Sequence, residues 1–80
     1  MDSDDAFGVW LQRRRKSLDL TRERLAASAH CSPSTIKRIE SGDLKPSQEL
    51  ARLLAASLQI EPARVEAFVR FARTGDAAAF

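Results

Sequence analysis

Two helix starts lie barely a turn apart in this chain, one at Thr21 and one at Ser32. Thr21 precedes Arg22-Glu23-Arg24-Leu25, and Ser32 precedes Pro33-Ser34-Thr35-Ile36. Both are small hydroxyl residues, which cap a helix by accepting an orphan backbone N–H of its first turn. Leu20 and Leu25 bracket the first cap and Cys31 and Ile36 the second, at the spacing of a hydrophobic staple. Pro33 falls at the first helical position, where its missing N–H costs nothing. About three residues, near His30 to Ser32, remain for the turn. Two short helices joined that tightly must cross steeply.

The flanking sequence keeps a helical period. Phe7, Trp10, Leu11 and Leu18, with Arg14 in the same stripe, predict a first helix over residues 5–18 that Asp19 breaks. The second helix is expected at about 22–29, with Leu25, Ala26 and Ala29 inward. The third is expected at about 33–41, with Ile36 and Ile39 inward and Gly42 suited to a left-handed cap. After a loop over residues 43–46, Ser47 caps a fourth helix at 48–58 whose stripe is Leu50, Leu53, Leu54 and Leu58. Pro62 opens a fifth at 62–73, with Val65, Phe68, Val69 and Ala72 on one face. Trp10 reads as core or edge packing. Phe71 lies about 100° off the fifth stripe. It is either tucked against the first helix or in contact with a second subunit or a following domain. The reading is an all-α, compact five-helix domain over residues 6–73, preceded by a flexible acidic segment at 1–5 and followed by a tail or linker at 74–80.

Eighty residues bound this to one domain, and a chain of that size buries roughly 60% of its unfolded surface. The single cysteine, Cys31, has no internal partner for a disulfide. Its staple position makes it a small apolar residue rather than a redox sensor. His30, alone in the turn, reads as neither pH switch nor ligand. No Cys/His cluster has metal-ligand spacing, and no nucleophile–base set or Gly-rich phosphate loop is present. The chain is therefore expected not to be an enzyme and to need no metal, cofactor or small-molecule ligand. No apolar run approaches the roughly 20 residues of a membrane span, and the acidic start lacks a signal segment. A cytoplasmic protein is expected.

Charge is placed unevenly. Net charge is only +2, but residues 1–12 hold Asp2, Asp4 and Asp5 without a base, whereas residues 13–24 hold six basic and two acidic side chains. Lys37, Arg38 and Lys45 follow. Positive charge on and beside the helix pair suits a polyanion partner.

The residues just quoted, together with Arg38-Ile39-Glu40 and Pro46-Ser47, resemble the lambda-repressor-like, Cro-type helix-turn-helix family over about residues 7–69. Phe7-Gly8 and Trp10-Leu11-Gln12-Arg13-Arg14-Arg15 also resemble N-terminal domains of some larger bacterial regulators. The resemblance implies sequence-specific double-stranded DNA binding in transcriptional regulation, in the cytoplasm at the nucleoid. Thr21 and Arg22 would meet a phosphate at the start of the second helix, where backbone N–H groups favour anions. Ser32, Pro33, Ser34 and Thr35 would lie at the leading end of the recognition helix, with Lys37 and Arg38 one turn on. Lys45 and Ser47 would hold the DNA backbone on the far side. An ion pair between Arg15 and Glu40, bridging the first and third helices, is also implied.

Three positions depart from the family pattern. Arg22 stands where many members have Gln, which should raise salt dependence. His30 stands where Gly often allows positive φ. Pro33 offers a thymine methyl only apolar contact, so readout rests on Ser34, Lys37 and Arg38. Few base contacts per copy imply a homodimer or fusion to a larger regulatory chain. The other reading is a protein-interaction or regulatory module on the same fold that does not read DNA.

Overall fold

The computed structural model describes residues 6–80, so the acidic segment expected at 1–5 lies outside the described residues. Five α-helices follow in order: α1 Ala6–Ser17, α2 Arg22–Ser28, α3 Pro33–Glu40, α4 Gln48–Ser57 and α5 Val65–Thr74. The all-α class is as expected. The first four helices end one residue before the expected boundary. The fifth does not begin at Pro62: residues Pro62–Arg64 form a 3-10 turn closed by Arg64 N–H to Glu61 C=O at 2.8 Å, and α5 starts only at Val65.

The N-termini follow the hydroxyl rule. Thr21, Ser32 and Ser47 all sit in extended backbone, and their oxygens accept N–H bonds from Arg24 (3.0 Å), Thr35 (3.2 Å) and Leu50 (3.1 Å). Each such cap is worth about 0.5–2 kcal/mol against alanine.

The C-termini explain the early ends. Asp19, His30 and Gln59 adopt left-handed backbone, with φ of 57°, 60° and 62°. Around each, two reversed hydrogen bonds close the last turn, for example His30 N–H to Ala27 C=O and Cys31 N–H to Ala26 C=O. The same pair recurs at Asp19–Leu20 and at Gln59–Ile60. This is the Schellman arrangement, normally built with glycine. The residue after each turn, Leu20, Cys31 or Ile60, is half-buried and packs on the core. Gly42 closes α3 the same way at φ 88°.

These turns fold the stripes inward. α2 packs on α3 and α4, α1 on α3, and α4 on α5. Leu11, Leu25, Ile36, Ile39, Leu54, Leu58 and Phe68 are fully buried at the centre. Burying one such side chain is worth roughly 1.5–3 kcal/mol. Arg14 lies in the inward stripe for a polar reason. Its Nε donates to Leu58 C=O at 3.1 Å, satisfying an open carbonyl at the end of α4.

α1 meets α5 through rings. Phe7 stands edge-on to Phe68 and Phe71 with centroids 5.6 and 5.2 Å apart, and Trp10 joins both. Phe71 is thus tucked against the first helix, the first of its two readings. The segment after α5, read as a tail or linker, returns to this cluster. Gly75 turns the chain at φ 77°, residues Ala77–Ala79 form a short 3-10 turn, and the Phe80 ring packs against Trp10, Phe68 and Phe71. The Arg64 guanidinium covers the outer face of Phe80, 4.2 Å from its centroid. No described helix is long and apolar enough to cross a membrane.

Candidate nucleic-acid interface

The outer face of α3 follows from its inner one. Ile36 and Ile39 are buried, and at 100° per residue Ser34, Lys37 and Arg38 fall on the opposite side, where all three are exposed. No hydrogen bond or ion pair among the described residues engages the Lys37 or Arg38 side chain. Ser41, seven residues after Ser34, shares this face and was missed from the sequence, although the spacing of two helical turns was legible.

At the leading end of α3 three hydroxyls cluster. Ser32 Oγ lies 3.4 Å from Ser34 Oγ and 3.0 Å from Thr35 Oγ1. Ser32, Pro33 and Ser34 are exposed and Thr35 is half-buried. Thr21 and Ser47 are exposed too. All three capping oxygens already accept backbone bonds, but a hydroxyl that accepts still has its own proton to donate.

Behind α3 sits a cluster of three charges. Arg15 Nε meets Glu40 Oε2 at 2.6 Å, and Arg15 Nη1 also donates to Leu20 C=O at 2.9 Å. This is the pair that the family resemblance implies. The third member was not read from the sequence: Arg22 Nε meets Glu40 Oε1 at 3.0 Å. Glu40 and Arg15 side chains are 4% and 8% exposed, whereas Arg22 keeps 37% of its surface. The cluster ties the end of α1 and the start of α2 to the last residue of α3. A pair this buried adds little net stability, because the cost of desolvating both charges offsets their attraction.

Lys45 stands apart from this cluster. Its Nζ lies 3.9 Å from the position a Cβ on Gly75 would take, at the C-terminus of α5. There a cation complements the negative end of the helix. Arg73 Nη1 approaches Pro46 C=O at 3.5 Å, so the loop before α4 is held against the end of α5.

Two residues weighed for chemistry have structural roles. His30 is exposed and occupies the left-handed turn position. Cys31 is half-buried, and burial pushes its thiol up, away from the reactive thiolate. No group of three or more His, Cys, Asp or Glu among the described residues could hold a metal. A cleft of about 260 Å³ is lined by Trp10, Arg14, Gln59, Ile60, Glu61, Arg64 and Phe80, with no α3 residue in its wall. The exposed cations of α3 and the concave surface are therefore separate features.

A model of the helix-turn-helix family matches residues 11–65. No curated protein and no solved structure matches the chain.

Proposed function

The chain belongs to the Cro/C1-type helix-turn-helix family, and from that premise we propose that it binds double-stranded DNA sequence-specifically to regulate transcription. The observation that carries this is the outward face of α3: Lys37 and Arg38 are exposed, opposite the buried Ile36 and Ile39, and no described residue pairs with them. α3 enters the major groove. Arg38 is long enough to reach a guanine edge, and Ser34 and Lys37 complete the reading set. Ser32, Pro33 and Thr35 stand at the groove's edge. Thr21, Arg22, Lys45 and Ser47 meet phosphates, which fix register without reading sequence. With Pro33 holding a position that carries no polar reading group, one copy makes few base contacts. The reading therefore includes a homodimer, or attachment to a larger regulatory chain, acting on paired half-sites.

The test is binding to random-sequence duplex DNA across a salt series, with wild type and Lys37→Ala/Arg38→Ala. Each phosphate contact contributes about 0.9 to the slope of log affinity against log salt. The wild type is expected to bind with a steep slope and the double variant to lose affinity. Selection from a random pool should then enrich one sequence for the wild type. Salt-independent or absent binding, or a double variant equal to wild type, refutes the reading in favour of a module that does not contact DNA.

A further inference from the structure

We infer that Glu40 is a positioning residue for a DNA phosphate and acts through Arg22; this rests on the DNA-binding reading above. Glu40 has both oxygens engaged: Oε2 by Arg15 Nε at 2.6 Å, Oε1 by Arg22 Nε at 3.0 Å, with Arg15 Nη2 a further 3.4 Å contact to Oε1. Arg15 alone neutralises this carboxylate. Arg22 brings a second cation, so the cluster carries one positive charge more than its acid balances. That surplus sits on the one member with open surface, since Arg22 is 37% exposed and its partners are nearly buried.

The geometry of the guanidinium decides what the surplus charge can do. It is planar, with its donors in a rigid fork. Glu40 takes the Nε side, and no hydrogen bond or ion pair among the described residues takes Nη1 or Nη2. A bond at Nε restrains the plane of the group and leaves its outer Nη1/Nη2 edge for another acceptor. The outer edge is a fork of the kind that grips a phosphate through two parallel bonds. Arg22 is the first residue of α2, and its bond to Glu40 ties it to the last residue of α3. A bound phosphate then completes an alternating row: Arg15, Glu40, Arg22, phosphate. Rotamer freedom is lost on folding rather than on binding, which is how preorganisation raises affinity.

Simple electrostatics and an orienting role for Glu40 predict effects of opposite sign. Removing a negative charge beside a polyanion site should tighten binding if Glu40 acts only as charge. If Glu40 orients Arg22, its removal loosens binding although the net charge rises. The experiment measures affinity of the full chain for random-sequence duplex DNA at low salt, for wild type, Glu40→Gln, Arg22→Lys and the double variant. Random sequence suffices because phosphate contacts carry no sequence information.

Glu40→Gln is expected to weaken binding by about fivefold, and Arg22→Lys, which keeps the charge but not the fork, by a similar factor. The double variant is expected to bind no more weakly than Arg22→Lys alone. Binding by Glu40→Gln equal to or tighter than wild type overturns the inference. So does an equal Glu40→Gln loss in the Arg22→Lys background, which would place the effect in Arg15 and the set of α3. Should Glu40→Gln fail to fold, Glu40→Asp decides. That shorter carboxylate keeps the negative charge between the two arginines but lengthens its contacts, and it is expected to show the same loss and the same dependence on Arg22. A wild type that does not bind duplex DNA refutes the DNA reading itself and this inference with it. A wild type that binds beside a tighter Glu40→Gln refutes the inference alone.

Discussion

Gln59→Gly should stabilise the domain, and the amount follows from its backbone. Gln59 sits at φ 62° in the turn that ends α4. A left-handed L-residue costs roughly 1–2 kcal/mol, because its Cβ crowds the following carbonyl. Glycine removes that strain but loses more conformational freedom on folding, by roughly 0.5–1 kcal/mol. The difference spans about 0–1.5 kcal/mol, with a central value of about 0.75 kcal/mol in favour of glycine. The Gln59 side chain is exposed, so little packing is lost, and both hydrogen bonds that close the turn are main-chain. For a domain of this size the gain corresponds to a rise in Tm of about 2–8 °C. Urea and thermal unfolding followed by far-UV circular dichroism measure it, with the urea m-value expected to stay constant. Asp19→Gly and His30→Gly serve as internal comparisons. Asp and His tolerate this region better than Gln, so their gains should be smaller. A Gln59→Gly variant no more stable than wild type would show that strain is not concentrated in these turns, and the reasoning would fail.

Phe80→Ala removes a ring that touches three others, and aromatic pairs contribute about 0.5–1.5 kcal/mol each. A loss of about 1–3 kcal/mol is expected together with a red shift of Trp10 emission; unchanged emission would mean that residues 76–80 do not seat on the cluster. Leu54→Ala, at the fully buried centre of α4, should cost about 2–5 kcal/mol in denaturant unfolding. That is a large part of the total for a small domain, and a change under 1 kcal/mol would contradict a fully packed Leu54. Glu66 is hydrogen-bonded to Arg52 at 2.8 Å, and that bond, then the Arg52 charge, holds its carboxyl below the usual carboxylate range. Because the folded value is depressed, its stabilisation is present above the ordinary carboxylate pKa and fades as pH falls through the lowered one. Carboxyl NMR titration should show the depression in wild type and its return to normal in Arg52→Ala.

Helix starts were legible because capping is local: Thr21, Ser32 and Ser47 each announce a helix to their own next three residues. Helix ends were less so. Left-handed turns at Asp19 and Gln59 carry no glycine to mark them; paired main-chain bonds close them, and the packing of Leu20 and Ile60 on the core sets where they fall. The pairing of Arg15 with Glu40 came from family resemblance rather than spacing. Arg22 joining them needed the third dimension, since eighteen residues separate it from Glu40. Arg14 illustrates the limit of periodicity, which put it in the inward stripe without saying that its partner was a carbonyl on α4. The outward set on α3 was readable from two buried isoleucines, whereas the placement of Lys45 beside the end of α5 depended on how the last helix folds back.

The chain's four phenylalanines and one tryptophan all lie in the ring cluster of α1, α5 and Phe80, and there is no tyrosine. The α2–α3 pole is left without a benzene or indole ring, and its aromatic side chain is the imidazole of His30 in the turn. Unpaired bases are held mainly by stacking on aromatic faces, at about 1–3 kcal/mol per base. Apart from His30 and the guanidinium planes, a pole of hydroxyls and ammonium groups offers a splayed base no large ring to lie on. On the DNA-binding reading proposed above, gathering the large rings at one end to build a core also leaves the other end better suited to a duplex than to a single strand.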